Sequence, residues 1–127
     1  MQYIIVAIGG FFGALARYSI GVIETNNYLF PVSTLTVNLI GCLFLGWFST
    51  YVAGKSPHPR LVLLIGTGFT GSFTTFSSFS VETWELIQGG HVLIGLMNIG
   101  VSIIAGLLLV LIGMHLAKAM LKQSASS

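Results

Sequence analysis

Aspartate is absent from this 127-residue chain, and its three acidic residues are scattered glutamates. Neither a carboxylate pair nor a Ser/His/Asp triad can be assembled from them, which argues against an enzyme. A lone cysteine, Cys42, excludes an internal disulfide, and its apolar setting suggests no metal cluster. His58, His91 and His115 fall at connections or ends without metal-ligand spacing, so they read as surface groups. Charge is scarce altogether: 6% of residues are charged, against roughly 25% in soluble domains. A net charge of +2 with no basic stripe leaves no nucleic-acid footprint. Internal repeats and low-complexity tracts are also missing.

What the chain does have is apolar residues, 54% of the total. It reads as an all-α integral membrane protein in contact with lipid. A bilayer-crossing helix takes about 20 mainly apolar residues, so about four helices fit and no soluble domain fits beside them. We place the spans at about 3–23, 32–52, 61–88 and 92–116 of a single transmembrane domain, with 117–127 as a polar, mobile tail. The first run lacks a basic flank and a small-residue cleavage site, so it is expected to be a retained helix rather than a signal peptide. The cluster Glu24-Thr25-Asn26-Asn27 ends it, and the linker Gly54-Lys55-Ser56-Pro57-His58-Pro59-Arg60 separates spans two and three.

An even number of spans puts both termini and the central linker on one side, together with Lys55, Arg60, Lys118 and Lys122. By the positive-inside rule that side faces the cytoplasm. Arg17, in the opposite half of span one, partly offsets the bias.

Polar residues within the spans are the candidates for function, because an unpartnered polar group in hydrocarbon costs several kcal/mol. Residues 68–82 hold seven hydroxyl side chains and three evenly spaced rings, Phe73, Phe76 and Phe79. With Gly66, Gly68 and Gly71 in the same span, continuous helix through 71–77 is doubtful and a break is expected. Unwound backbone at membrane depth must line a cavity or be buried, and its freed carbonyls can bind a cation. Ring edges carry partial positive charge and can meet an anion, although packing or lipid contact explains a phenylalanine equally well.

In span one, Gly9, Gly13, Arg17 and Gly21 share a face, suited to close helix approach. Arg17, a charge inside a span, pairs, faces water or snorkels. In span two, Thr34, Asn38 and Cys42 share a face; the Asn38 amide can serve an anion or join two helices. Span four aligns Asn98, Ser102 and Gly106, a polar track or a packing face. Glu82 is either a proton-linked carboxylate or an interfacial group facing water, and Glu85 is solvated.

Three segments together resemble the bacterial fluoride channels of the Fluc (CrcB) family: Gly9-Gly10-Phe-Phe-Gly13-Ala14-Leu-Ala-Arg17, Thr34-Leu-Thr-Val-Asn38-Leu-Ile-Gly41, and Gly71-Ser-Phe-Thr74-Thr75-Phe76-Ser77-Ser-Phe79-Ser80-Val-Glu82. The likeness covers nearly the whole length, and the third segment is the most specific. It implies a dual-topology dimer of antiparallel subunits in the bacterial plasma membrane, each with four spans and a break in the third. Two fluoride pathways would be enclosed. On matching positions, Phe76 and Phe79 look like the aromatic box that meets fluoride, and Asn38 looks like its amide donor. Thr75, Ser77, Glu82 and Ser102 look like parts of a polar track, and Arg17 looks like the basic residue of the vestibule. The carbonyls of Gly71 and Thr74 look like ligands of a central structural sodium.

Such a pathway is physically sensible, since a small, tightly hydrated anion needs several donors in a narrow space and no trapping full charge. Asn98, counted with the pathway, stands where many members have tyrosine or another hydroxyl, and Gly106 where some have serine. The basic bias toward one side disfavours insertion both ways, so a fixed-orientation subunit pairing with an inverted partner stays open beside the homodimer. Two rivals remain: a small proton-coupled exporter, which would want a carboxylate embedded in the first span, and a non-conducting assembly subunit.

Overall fold

The structure, a computed structural model, describes residues 1–23, 29–55 and 58–125. The expected terminator Glu24-Thr25-Asn26-Asn27, Ser56-Pro57 of the linker, and the last two residues of the tail lie outside the described residues. Everything described is helical or a short connection. Helix α1 (Gln2–Ile23) and α2 (Val32–Lys55) are uninterrupted runs without internal proline. Helix α3 occupies residues 59–73. Pro59 opens it, where a missing N–H costs nothing, and His58 Nδ1 accepts from Arg60 N at 3.3 Å. Over Val62–Thr70 the winding widens to the π form, and Thr70 Oγ1 donates to the Ile65 carbonyl five residues back, at 2.9 Å. Helix α4 (Phe76–Gln88) resumes after the break, and α5 (Val92–Ala125) closes the chain.

Four stretches, namely α1, α2, α3 with α4, and α5, are long and apolar enough to cross a membrane. The protein is a multi-pass membrane protein whose third span is bent at the break. Helix α5 runs well past the expected end at Leu116: residues 117–125 are helical rather than a loose tail. Ala117 is fully buried and Trp47 Nε1 donates to Met120 Sδ at 3.3 Å, so this extension is docked against α2.

The spans pack in two pairs that are not consecutive in sequence. Helix α1 lies along α3, α2 lies along α5, and α1 meets α2 only slightly. Glycine makes both seams. A Cβ at Gly9 or Gly13 would run into the carbonyls of Leu64 and Phe69, and one at Gly68 would stand 2.6 Å from the Val6 carbonyl. On the other seam, Gly46 faces the Val110 carbonyl and Gly113 faces that of Leu43. Backbone-to-backbone approach of this kind is how helices associate where lipid removes the hydrophobic drive. Buried apolar side chains are accordingly few among the described residues, Val37, Phe48 and Phe73 among them, while most large apolar groups point outward.

Helix α4 is returned onto α5 by a tight cap. His91 N donates to the Leu86 carbonyl at 2.8 Å and Gly90 N to that of Ile87 at 3.1 Å, with Gly90 at φ 83°, the left-handed conformation this motif requires. The cap sets α4 antiparallel to the start of α5, beside the break.

Candidate functional site

The expected break falls at Thr74 and Thr75. Thr74 is extended at φ −76°, ψ 156°, and Thr75 at φ −143°, ψ 122°. Two extended residues leave backbone groups without ladder partners, and these groups must be satisfied at membrane depth. Asn38 of α2 does this with both ends of its amide: Oδ1 accepts from Thr75 N at 2.8 Å and Nδ2 donates to the Thr75 carbonyl at 2.9 Å. The side chain thus treats Thr75 as a neighbouring strand would. One Nδ2 hydrogen remains for another acceptor.

Thr75 then caps α4. Its Oγ1 accepts from Ser78 N at 3.1 Å, and Ser77 Oγ and Ser78 Oγ both lie 3.2 Å from it. The amides that would have continued the helix onto Gly71 and Thr74 belong to Thr75 and Ser78, and both are diverted to side chains. Those two carbonyls therefore do not receive these amides, and Gly71 is exposed, with nothing within 4 Å of where a Cβ would stand. Oxygen ligands of this kind suit a hard cation.

Two grooves meet at Thr75. The first, about 360 Å³, is walled by Asn38, Gly41 and Cys42 of α2, Phe76 and Phe79 of α4, and Ser102 of α5. The two rings stand 5.8 Å apart at 40°, with Phe76 81% exposed on the outer lip and Phe79 half-buried. The second groove, about 240 Å³, lies on the other side of Thr75 and is lined by Arg17, Gly21, Thr34, Ser78 and Glu82. Here Thr34 Oγ1 donates to Glu82 Oε1 at 2.7 Å, and Oε2 is buried without a partner. A half-buried arginine at this mouth gives the groove a cation opposite its carboxylate.

The structure therefore brings together Arg17, Asn38, Thr75, Phe76, Phe79, Glu82 and Ser102, with Ser77 exposed beside Thr75. The α2 stripe reads in order: Thr34 on Glu82, Asn38 on Thr75, Cys42 against Gly106, where a Cβ would be 3.4 Å from its Sγ. Two sequence candidates sit elsewhere. Phe73, the first of the three evenly spaced rings, is 6% exposed and stacks on Phe69 at 5.7 Å, beside Gly41 of α2. Asn98 lines neither groove; it is 1% exposed and its Nδ2 donates to Thr83 Oγ1 at 2.9 Å. Sequence reasoning passed over Thr83, and it counted Ser78 among the hydroxyls of 68–82 without giving it a role. The available signal was a hydroxyl directly after Glu82 and a serine three residues after a threonine at a break.

A model of the family described as CrcB-like protein, Camphor Resistance (CrcB), matches residues 4–114. The chain is 46% identical over 125 residues to a Bacillus cereus protein named fluoride-specific ion channel FluC 1, covering 96% of this chain and 87% of the relative. It is 45% identical over 114 residues to a FluC 1 of Desulfitobacterium hafniense, covering 87% of this chain and 98% of the relative. With a FluC 2 of Listeria innocua it shares 43% identity over 127 residues, covering 98% of this chain and 97% of the relative.

Proposed function

Because this chain belongs to the CrcB family, we propose that it is a fluoride-selective ion channel, not an enzyme, that conducts fluoride passively out of the bacterial cell. The observation that carries the reading is the Thr74–Thr75 break, pinned by Asn38 between two grooves that hold rings, hydroxyls, an amide and a carboxylate. An anion entering past Arg17 meets Ser78 and Thr75, then reaches the ring edges of Phe79 and Phe76, with the remaining Asn38 hydrogen and Ser102 beside them. Ser77 extends the hydroxyl track at Thr75. Each of these groups replaces hydration water by a weak donor, so none holds the ion long enough to stop it. A larger halide, although easier to dehydrate, finds so narrow a passage too tight.

Two further parts of the proposal concern assembly. The pathway is open on its outer side, since Phe76 lies almost wholly exposed on the lip of its groove. An antiparallel second copy would close it, giving a dual-topology dimer. The Gly71 and Thr74 carbonyls fit a hard monovalent cation, read as a structural sodium that supplies positive charge to hold two such breaks together. A heterodimer is the second reading, favoured by the gathering of Lys55, Arg60, Lys118 and Lys122 toward one end of the bundle.

The test is fluoride efflux from liposomes holding the purified chain alone. Fluoride flux with negligible chloride flux is expected, and equal chloride flux ends the proposal. No flux from the chain alone, restored by an inverted relative, would select the heterodimer.

A further inference from the structure

Helix α4 carries both rings and the carboxylate of the proposed pathway, yet little holds its body in place. Asn38 fixes the residue before it, the Gly90 cap fixes its end, and Thr34 of α2 holds Glu82 at 2.7 Å, while along its length only Thr83 and Leu86 are buried. The α4 side-chain hydrogen bond to α5 is the one that Thr83 Oγ1 accepts from Asn98 Nδ2 at 2.9 Å. Gly95, three residues before Asn98, admits α4 closely: a Cβ there would lie 2.9 Å from Ile87 Cγ1 and 3.4 Å from the Thr83 carbonyl. Buried polar pairs in an apolar contact are directional, whereas the surrounding Leu and Ile contacts tolerate sliding.

The position of Thr83 gives the bond its leverage. It follows Phe79 by four residues and Glu82 by one, so Phe79 lies almost directly above it on the helix surface and Glu82 about a quarter-turn round. Any rotation of α4 that breaks the Thr83 contact swings Phe79 away from Asn38 and Glu82 away from Thr34 together.

We infer that Asn98 is a positioning residue: acting through Thr83, it sets the rotation of α4 about its axis, and so aims Phe79 and Glu82 into their grooves, without touching the conducted ion. The inference rests on the fluoride reading for its effect on selectivity, but the clamp itself does not. Where α4 is free to turn, Phe79 and Glu82 leave their grooves together, the fit around a small anion loosens and chloride is admitted.

The experiment compares the wild type with Thr83→Val, Asn98→Leu and the double variant in liposomes, using only monodisperse protein. Each single variant is expected to lower the fluoride-over-chloride flux ratio about tenfold, the factor one lost hydrogen bond represents. The double variant should be no worse than either single one. Thr83→Val keeps the Asn98 amide, so normal selectivity in Thr83→Val with lost flux in Asn98→Leu would make Asn98 an ion ligand and overturn the inference. Lower yield with an unchanged ratio in all three would reduce the bond to ordinary stability and also overturn it. Where Asn98→Leu does not fold, Thr83→Val decides alone, since it deletes one hydroxyl and conserves shape.

A second measurement stands apart from conduction. Trp84 follows Thr83 and is 59% exposed. In a Trp47→Phe background, its quenching by brominated lipid chains should shift alike in both single variants. No shift in either overturns the clamp even if the wild type carries no fluoride, a result that would by itself end only the fluoride reading.

Discussion

Replacing Asn38 by leucine tests the foundation of the site. The change keeps the side-chain volume and removes both bonds to Thr75, at 2.8 and 2.9 Å. Interhelical hydrogen bonds in membranes average only about 0.6 kcal/mol, because a broken group usually finds another partner. While it stays extended, Thr75 has no such alternative: its own hydroxyl is committed to Ser78 N, and its amide reaches the Gly71 carbonyl only if the break straightens. Leaving a buried donor or acceptor unmet costs about 1–3 kcal/mol each. Since Asn38 is only half-buried, we take the lower half of that range for each group. The sum, about 3 kcal/mol, corresponds to about a hundredfold in an opening equilibrium. Hydrogen–deuterium exchange in lipid nanodiscs reads this directly. The Thr75 amide should exchange about a hundredfold faster in Asn38→Leu, while amides of the α1/α3 seam keep their rates. Unchanged exchange at Thr75 would show that the break is held by other means, and the reasoning from the Asn38 fork would fall with it.

Other expectations follow from single contacts. Phe76→Ala and Phe79→Ala should each sharply reduce fluoride efflux from liposomes; normal flux in both removes the rings from the pathway. Thr34→Val withdraws the donor from Glu82 Oε1 and is expected to slow efflux without lowering the yield of folded protein, so wild-type flux would detach Glu82 from conduction. Gly13→Ala drives a methyl into the Phe69 carbonyl and should cost about 1–3 kcal/mol through overpacking, visible as a lower midpoint of detergent-induced unfolding. By contrast, Gly106→Ser places its Cβ 3.4 Å from Cys42 Sγ, close enough to need only a slight adjustment; folding and efflux near wild type are expected, and loss of folded protein would contradict the packing described.

The four spans were legible because hydropathy alone demands them, and the break because glycine and hydroxyl density in residues 66–80 opposes continuous helix. Its place within 71–77 was not. Thr74 and Thr75 are extended because Asn38, 37 residues earlier in the chain, offers a matching donor and acceptor, and local propensity carries no trace of that pairing. The even spacing of Phe73, Phe76 and Phe79 could not by itself separate packing from pathway: the intervening break turns Phe73 into the core and the other two toward the groove. Asn98 was legible as a polar group on a shared face, but its partner Thr83 was hidden behind the more conspicuous Glu82. The end of α5 was misjudged by polarity. Lys118 and Lys122 mark water, yet Ala-Lys-Ala-Met-Leu-Lys-Gln from 117 to 123 is a run of strong helix formers, so the chain leaves the apolar region without unwinding.

The pairing of α1 with α3 and of α2 with α5 bears on how the protein is made. A nascent chain that has delivered its first two helices to the bilayer holds no finished interface, and the glycine notches of Gly9, Gly13, Gly41 and Gly46 are then filled by acyl chains. Synthesis of the third span completes one half, but α2 must wait for the very last helix, so Asn38 meets Thr75 while its own helix still lacks its main support. Maturation is therefore governed by the carboxyl-terminal third, and a ribosome stalled before α5 would leave a chain inserted in lipid yet unable to assemble.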